Sequence, residues 1–196
     1  MADPHRPRVA GAHRVGGEGE PEVFCADEQD DVPIELERWQ RLALDVLRDQ
    51  GVRGLAELSV LYVGEADIAD LNEQYMGKPG PTDVLAFPLD GHEVTAVVDA
   101  GAPRGPDRAP LDPGDLPLLL GDVVICPAIA AKQAPEHAGT LDDELALLLV
   151  HGTLHVLGLD HATDDEAIAM RATERRLLEE HHWHGPTPAG FRQEQA

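Results

Sequence analysis

The chain has 196 residues, of which 42% are hydrophobic, so we expect one domain with a sizeable core. Its formal net charge of −22 argues against a free-standing nucleic-acid binder with a broad basic face. No apolar run is long enough to span a bilayer and no charged-then-apolar leader opens the chain, so we expect a cytoplasmic protein without a membrane partner.

The predicted domain organisation follows from local composition. Residues 1–20 are rich in Gly, Pro and charge without apolar periodicity, which predicts a disordered tail. The domain then occupies residues 21–184, with a flexible insertion at about 90–117 where Gly, Pro and Asp dominate. Residues 185–196 form a C-terminal tail, and the nearby HHWH segment is expected to be solvated.

Apolar patterning predicts interleaved strands and helices, in chain order. Strands are expected at residues 22–26, 57–63, 83–88 and 119–126. Helices are expected at 33–50, 67–75, 127–137, 141–158 and 164–182, with Thr140 and Thr163 as caps of the last two. Because there is no regular βαβ rhythm, we predict a single α+β domain with a mixed sheet packed on helices. Cys25 and Cys126 lie in strand-like runs and are expected to be reduced core residues.

The segment HGTLHVLGLDH carries the strongest chemical signal in the chain. His151 and His155 are four residues apart, so a helix places both imidazoles on one face, about 6 Å apart. Gly158 can end this helix in a conformation with positive φ, and His161 can then return to the same point. Three neutral imidazoles with one open position are typical of a catalytic zinc site, which predicts one Zn²⁺ per chain.

The alternative interpretation is that these histidines are ordinary core residues. The surrounding helix is apolar on most sides, and two imidazoles cannot be buried there without polar partners. A shared metal ion satisfies both at once, which favours the metal site.

The spacing also resembles that of the metzincin peptidases, which place the third histidine three residues after the glycine. A metzincin carries Glu directly after the first histidine as its general base, whereas this chain has Gly152. A metallopeptidase therefore remains an alternative, although Gly152 argues against it.

Three segments together resemble the YbeY family of ribosome-maturation endoribonucleases. They are LNEQYMGKPGPTDVLAFP from Leu71, LGDVVICP from Leu120 and HGTLHVLGLDH from His151, and the similarity covers about residues 22–182. The resemblance implies a zincin-like metal helix with ligands His151, His155 and His161. It also implies a zinc-dependent, single-strand-specific endoribonuclease that acts on the 3′ end of small-subunit rRNA and in ribosome quality control. The implied partners are single-stranded rRNA, the small ribosomal subunit and assembly factors that include a GTPase.

The remaining site residues are open at this stage. Met76 stands where many family members carry Arg, so Lys78 is the candidate substrate-binding cation, with a solvated lysine as the alternative. Asp83 and Asp160 are candidates for a base or for a group that orients water or a histidine, and turn capping is the alternative for both. No firm general base emerges. A third functional class, a ribosome-assembly factor with structural zinc, also stays open.

Overall fold

The structure, a computed structural model, describes residues 10–15, 19–89, 117–159 and 161–193, with side chains from residue 19 onward. It contains one five-stranded sheet in the order β1-β2-β3-β5-β4. β2, β3 and β5 are parallel, and β1 and β4 pair antiparallel at the two edges. The expected α+β domain with a mixed sheet is confirmed. The strands are β1 (Ala10–Val15), β2 (Glu22–Asp27), β3 (Ala56–Tyr62), β4 (Val84–Pro88) and β5 (Leu118–Ile125).

Five α-helices accompany the sheet among the described residues. They are α1 (Leu36–Asp49), α2 (Glu65–Leu71), α3 (Pro127–Gln133), α4 (Leu141–Val156) and α5 (Asp164–His181). The helix predicted at 67–75 is α-helical only as far as Leu71, because α2 continues into a π-helical turn at Asn72–Met76. Both expected caps form. Thr140 accepts a hydrogen bond from the amide of Asp143, and Thr163 forms a reciprocal capping box with Glu166.

α4 is the central helix of the domain. It packs against β4 and β5 on one side and against α1, α3 and α5 on others, so almost its whole length is buried. This explains why its sequence is apolar on most sides rather than along one stripe. The side chains of Leu149 and Leu154 are completely buried. The expected reduced cysteines, Cys25 and Cys126, are likewise buried and free.

Gly152 allows α4 to approach the sheet closely. A Cβ atom built on Gly152 would lie 2.6 Å from Cγ1 of Val123 on β5, well inside van der Waals contact. It would also lie 3.4 Å from Cγ2 of Val84 on β4. The missing side chain therefore has a packing role, and position 152 points into the helix–sheet interface.

Two predictions about the ends of the domain need correction. The disorder expected over residues 1–20 is wrong for Ala10–Val15, which form β1 and pair with β2 in the register Ala10↔Asp27 to Val15↔Val23. An edge strand gains its order from backbone pairing, which requires no apolar alternation in its own sequence. At the other end, the predicted tail packs on the domain as far as residue 193. The amide of Arg192 donates to the carbonyl of His137 at 3.0 Å.

The HHWH segment is also less solvated than expected. The side chain of His182 is only 6% exposed, and its Nε2 lies 3.0 Å from Oδ1 of Asp143. Trp183 donates its indole N–H to the same oxygen at 2.6 Å. Asp143 thus joins the first turn of α4 to the end of α5, a contact between residues about 40 apart in sequence.

The predicted insertion at about 90–117 lies outside the described residues except for Pro117. Within the part of the chain that is described, no helix is both long enough and apolar enough to cross a membrane.

Candidate metal centre

The three predicted histidines come together at the C-terminal end of α4. His151 and His155 lie on the last turns of the helix, and Gly158 reverses the chain with a φ of 87°, in the left-handed region expected for it. The amide of Gly158 donates to the carbonyl of His155 at 2.9 Å, which closes the turn. The chain then brings His161 back, so that one ring nitrogen from each histidine lies within 4.8 Å of the others.

The arrangement of the rings fits a metal ion. Nε2 of His155 lies 3.1 Å from Nε2 of His151, and the ring centroids of His151 and His161 are 5.7 Å apart. Imidazole nitrogens coordinate zinc at about 2.0–2.1 Å, so one ion between these nitrogens would require only small side-chain adjustments. The set contains nitrogen donors alone, which suits a borderline metal such as Zn²⁺ better than Ca²⁺ or Mg²⁺.

Glu174 is a site residue that the sequence interpretation missed. It lies on α5 with 3% of its surface exposed, and its Oε1 is 2.7 Å from Nδ1 of His151. This contact favours the tautomer of His151 that carries its proton on Nδ1, which leaves Nε2 free to bind a metal. The other carboxylate oxygen, Oε2, accepts a hydrogen bond from the side-chain Nε2 of Gln193 at 2.9 Å. The C-terminal segment thus helps to hold the carboxylate that orients a histidine.

A cavity of about 180 Å³ lies beside the histidines, and Glu144 is its most deeply buried acidic residue. Burial raises the pKa of Glu144 above its usual range, although a hydrogen bond from the amide of Ala138 opposes this. Nδ1 of His137 lies 3.4 Å from its Oε1. His151 and His161 line the same cavity, so a carboxyl group with a perturbed pKa borders the candidate metal centre.

Asp83, predicted as a candidate base or orienting group, lines this cavity as well. Its Oδ1 accepts from the amide of Val84 at 2.8 Å and from the hydroxyl of Thr82 at 3.1 Å. Glu174 rather than Asp83 is the carboxylate that holds His151. The other candidate, Asp160, lies outside the described residues.

An open groove of about 770 Å³ also borders the histidines. All three histidines line it, together with Lys78, the predicted substrate-binding cation, and with Met76, which is 44% exposed. Among the described residues that line this groove, Lys78 is the only lysine, and there is no arginine, aspartate or glutamate. The groove thus connects a cation with the candidate metal centre.

A second cluster with metal-ligating groups is explained by an ion pair. Asp49, Glu180 and His181 also offer ligand atoms within 4.8 Å of one another. However, the guanidinium of Arg176 lies 2.6 Å from Asp49 and 3.3 Å from Glu180. Hydrogen bonding to Arg176 accordingly lowers the pKa of Asp49 to about 2. A cation of the protein therefore already neutralises these carboxylates.

Three imidazoles that converge beside an open groove could hold a metal ion, an arrangement typical of metal-dependent hydrolases. The comparison with known families is more specific. The model of the Endoribonuclease YbeY family matches residues 24–182, and the chain belongs to this family. The match includes the whole segment with the three histidines.

Individual relatives support this assignment. The chain is 46% identical over 149 residues to an Endoribonuclease YbeY from Mycolicibacterium vanbaalenii, covering 76% of this chain and 74% of the relative. It is also 46% identical over 147 residues to the Thermobifida fusca Endoribonuclease YbeY, covering 75% and 86% of the two chains. A solution structure from Thermotoga maritima superimposes with a TM-score of 0.53 at 24% identity, over 83% of this chain and 90% of that one, which supports the fold.

Proposed function

We propose that this chain is a zinc-dependent endoribonuclease that cleaves single-stranded rRNA, notably at the 3′ end of the small-subunit rRNA, during ribosome maturation and quality control. The observation that carries the proposal is the convergence of His151, His155 and His161 beside an open groove. The names of the two sequence relatives support the RNA substrate, since both are called Endoribonuclease YbeY. The resemblance of the three motif segments supports the role in rRNA processing.

The histidines and Glu174 would prepare the site for hydrolysis. The three imidazoles would bind one Zn²⁺ through ring nitrogens, and Glu174 would keep the proton of His151 on Nδ1. When bound, such an ion polarises a phosphoryl oxygen and lowers the pKa of a coordinated water to about 7. The groove with Lys78 would position the scissile phosphate next to the histidines, since an ammonium group attracts the phosphate charge.

The proton acceptor is one of the carboxyl groups beside the histidines. Asp83 and Glu144 both line the adjacent cavity, and Asp160 precedes His161 directly in sequence. Glu144 is an addition to the two residues that the sequence indicated. Burial raises the pKa of Glu144, and a more basic carboxylate takes up a proton more readily.

The acidity of the chain bears on how it reaches its substrate. A net charge of −22 repels RNA at long range, so the chain would gain affinity by docking on the small ribosomal subunit and on assembly factors that include a GTPase. Docking raises the effective concentration of the rRNA end near the site. A role on nascent ribosomes would place the chain in the cytoplasm.

Two other functions make different predictions. A metallopeptidase would need a base after the first histidine, but residue 152 points at Val123 and Val84 in the helix–sheet interface. A Glu at this position would meet the sheet. A ribosome-assembly factor with structural zinc would hold the ion without cleaving RNA. Zinc content and cleavage therefore have to be measured on the same preparation.

The decisive experiment compares the zinc-loaded chain with its His155→Ala variant on single-stranded RNA and on casein. We expect RNA cleavage that a chelator abolishes and that His155→Ala lacks, with casein left intact. Chelator-sensitive digestion of casein would establish the peptidase instead. One bound zinc per chain without RNA cleavage would support the ribosome-assembly factor with structural zinc instead. Equal RNA cleavage by the wild type and by His155→Ala would reveal a contaminating nuclease.

A further inference from the structure

A second groove, of about 1070 Å³, runs along α5 and the C-terminal segment, and arginines dominate its charged lining. The arginine groove, as we call it, is lined by four arginines and two glutamates, whereas the chain as a whole has 15 basic residues against 37 acidic ones. This concentration of positive charge is opposite in sign to the average surface. The arginines are Arg171, Arg175, Arg176 and Arg192.

Three of these guanidinium groups can contact a ligand. Arg176 is held by Asp49 and Glu180 and contributes little. Within the described part of the chain, no carboxylate lies within salt-bridge distance of Arg171, Arg175 or Arg192. Arg175 donates to the neutral side-chain amide oxygen of Gln193 at 3.2 Å. The two glutamates of the lining, Glu136 and Glu179, only partly offset this charge.

The arginine groove continues to the candidate metal centre. Its lining shares His137, Arg171 and Gln193 with the 180 Å³ cavity. That cavity in turn shares His151 and His161 with the groove that contains Lys78. The three depressions therefore adjoin one another at shared wall residues, and the cavity that His151 and His161 line adjoins both the arginine groove and the Lys78 groove.

The arginine groove also offers apolar surface. Ile168 is 60% exposed on its wall, and Phe191, whose ring packs edge-on against Trp183 at 4.8 Å between centroids, lines it as well. Sites for single-stranded nucleic acid combine cations for the backbone with aromatic or apolar surface for the bases. A protein that recognised only free phosphate would not need this apolar surface.

From this geometry we propose that the arginine groove binds the RNA backbone on one side of the scissile phosphate, while the Lys78 groove holds the strand on the other side. The inference rests on the proposed endoribonuclease function, because an endonuclease must hold a strand that extends in both directions from the cleaved bond. It places the cations of the arginine groove and of Lys78 at the two ends of the proposed substrate path. The bound segment is single-stranded, since unpaired bases are needed to reach the apolar wall.

The test uses the double variant Arg175→Gln/Arg192→Gln and measures binding of a single-stranded RNA of about 12 nucleotides, within the usual site sizes. Binding is measured with chelator present, to prevent cleavage, between about 50 and 200 mM salt. Each lost phosphate contact flattens the plot of log K against log salt by about 0.7, so we expect a slope shallower by about 1.4. The matched control is Arg41→Gln/Arg53→Gln, two exposed arginines outside the three depressions whose substitution changes net charge equally.

The outcomes separate this proposal from the proposed function. An unchanged slope in the groove variant, or an equal change in the control, overturns the arginine groove even if the zinc-loaded chain cleaves RNA. If the slope of log K against log salt flattens in Arg175→Gln/Arg192→Gln and not in the control, RNA binding by the arginine groove is supported. This holds even if the zinc-loaded chain does not cleave RNA. In the active case, Arg175→Gln/Arg192→Gln should raise KM for RNA. Zinc content is measured alongside, because Arg175 donates to Gln193, which in turn holds Glu174 beside His151.

Discussion

Glu174 of α5 holds His151 of α4 through a 2.7 Å contact between Oε1 and Nδ1, although the two residues are 23 positions apart. The carboxylate is buried, and Gln193 donates to its other oxygen. Because both oxygens have partners, the carboxylate is fixed and can fix the imidazole in turn. The geometry of the candidate metal centre thus depends on the packing of α5 and the C-terminal segment against α4.

The first prediction concerns this contact. Glu174→Gln should weaken zinc binding by about 10- to 100-fold, because a neutral amide holds the Nδ1 proton of His151 less strongly than a carboxylate. Competition with a chromogenic chelator measures the affinity, and thermal unfolding of the metal-free protein reports on the fold. Glu166→Gln, in the capping box of the same helix, is the matched control and should retain full affinity. Wild-type zinc affinity in Glu174→Gln would show that the contact is incidental.

The second prediction concerns the turn at Gly158. Its φ of 87° is costly for a β-branched residue, so Gly158→Val should destabilise the protein by about 1–2 kcal/mol and reduce zinc content together. No atom lies within 4 Å of a Cβ placed there, so the effect is due to the backbone and not to a clash. Gly158→Asn is the control. Because asparagine tolerates positive φ better than valine, this variant should lose less stability and less zinc. Urea unfolding and elemental analysis measure both effects, and equal losses in Val and Asn variants would contradict the backbone explanation.

The sequence predicted the features that depend on local spacing. The separation of His151, His155 and His161 and the turn at Gly158 follow from helix geometry alone, and the structure brings the three side chains together. Glu174 could not be predicted in this way, because only the crossing of α4 and α5 places it beside His151. An acidic residue on a helix is usually solvated, and nothing in its neighbourhood marks it as buried.

Other features depended on long-range pairing as well. β1 forms because β2 offers its edge, not because Ala10–Val15 alternates between apolar and polar residues. His182 and Trp183 looked like solvated tail residues until their shared partner, Asp143, was known. Gly152 could be recognised from the sequence only as a missing base, whereas the structure shows its role in packing.

The third prediction tests that packing role. Overpacking in Gly152→Ala should cost about 1–3 kcal/mol, since the new Cβ would lie 2.6 Å from Cγ1 of Val123, whose branched side chain is stiff. The gain in helix propensity of about 1 kcal/mol offsets part of this cost, so the net loss of stability should reach at most about 2 kcal/mol. Val123→Ala removes the obstructing methyl group, so a double-mutant cycle should show that it relieves part of the cost of Gly152→Ala. Additive effects in the cycle would mean that α4 shifts freely on the sheet.

The fourth prediction concerns Lys78. Lys78→Ala should lower RNA cleavage mainly through a higher KM and leave zinc content unchanged, because the ammonium lies in the groove with the histidines and is no metal ligand. Lys132→Ala is the matched control. It removes the same charge from the surface, where Lys132 pairs with Glu65 at 2.6 Å, and should leave cleavage unaffected. Steady-state kinetics on a short single-stranded RNA gives KM for both variants and for the wild type. A wild-type KM in Lys78→Ala would remove Lys78 from the proposed substrate path.

The last prediction concerns the pH dependence of stability. Burial lowers the pKa of His182 below its usual value of 6.5, despite the opposing effect of the Asp143 carboxylate at 3.0 Å. Below about pH 6.5 the unfolded chain therefore binds a proton at this residue that the folded chain does not yet bind. The contribution of His182 to the free energy of unfolding is present above pH 6.5 and is lost as the pH falls through its folded pKa.

Urea unfolding of the chelator-treated protein between about pH 7.5 and 5 should thus show a steeper loss of stability in the wild type than in His182→Gln. His184→Gln, an exposed neighbour, serves as the control and should follow the wild type. Parallel curves for the wild type and His182→Gln would mean that His182 binds its proton equally well in the folded and the unfolded chain.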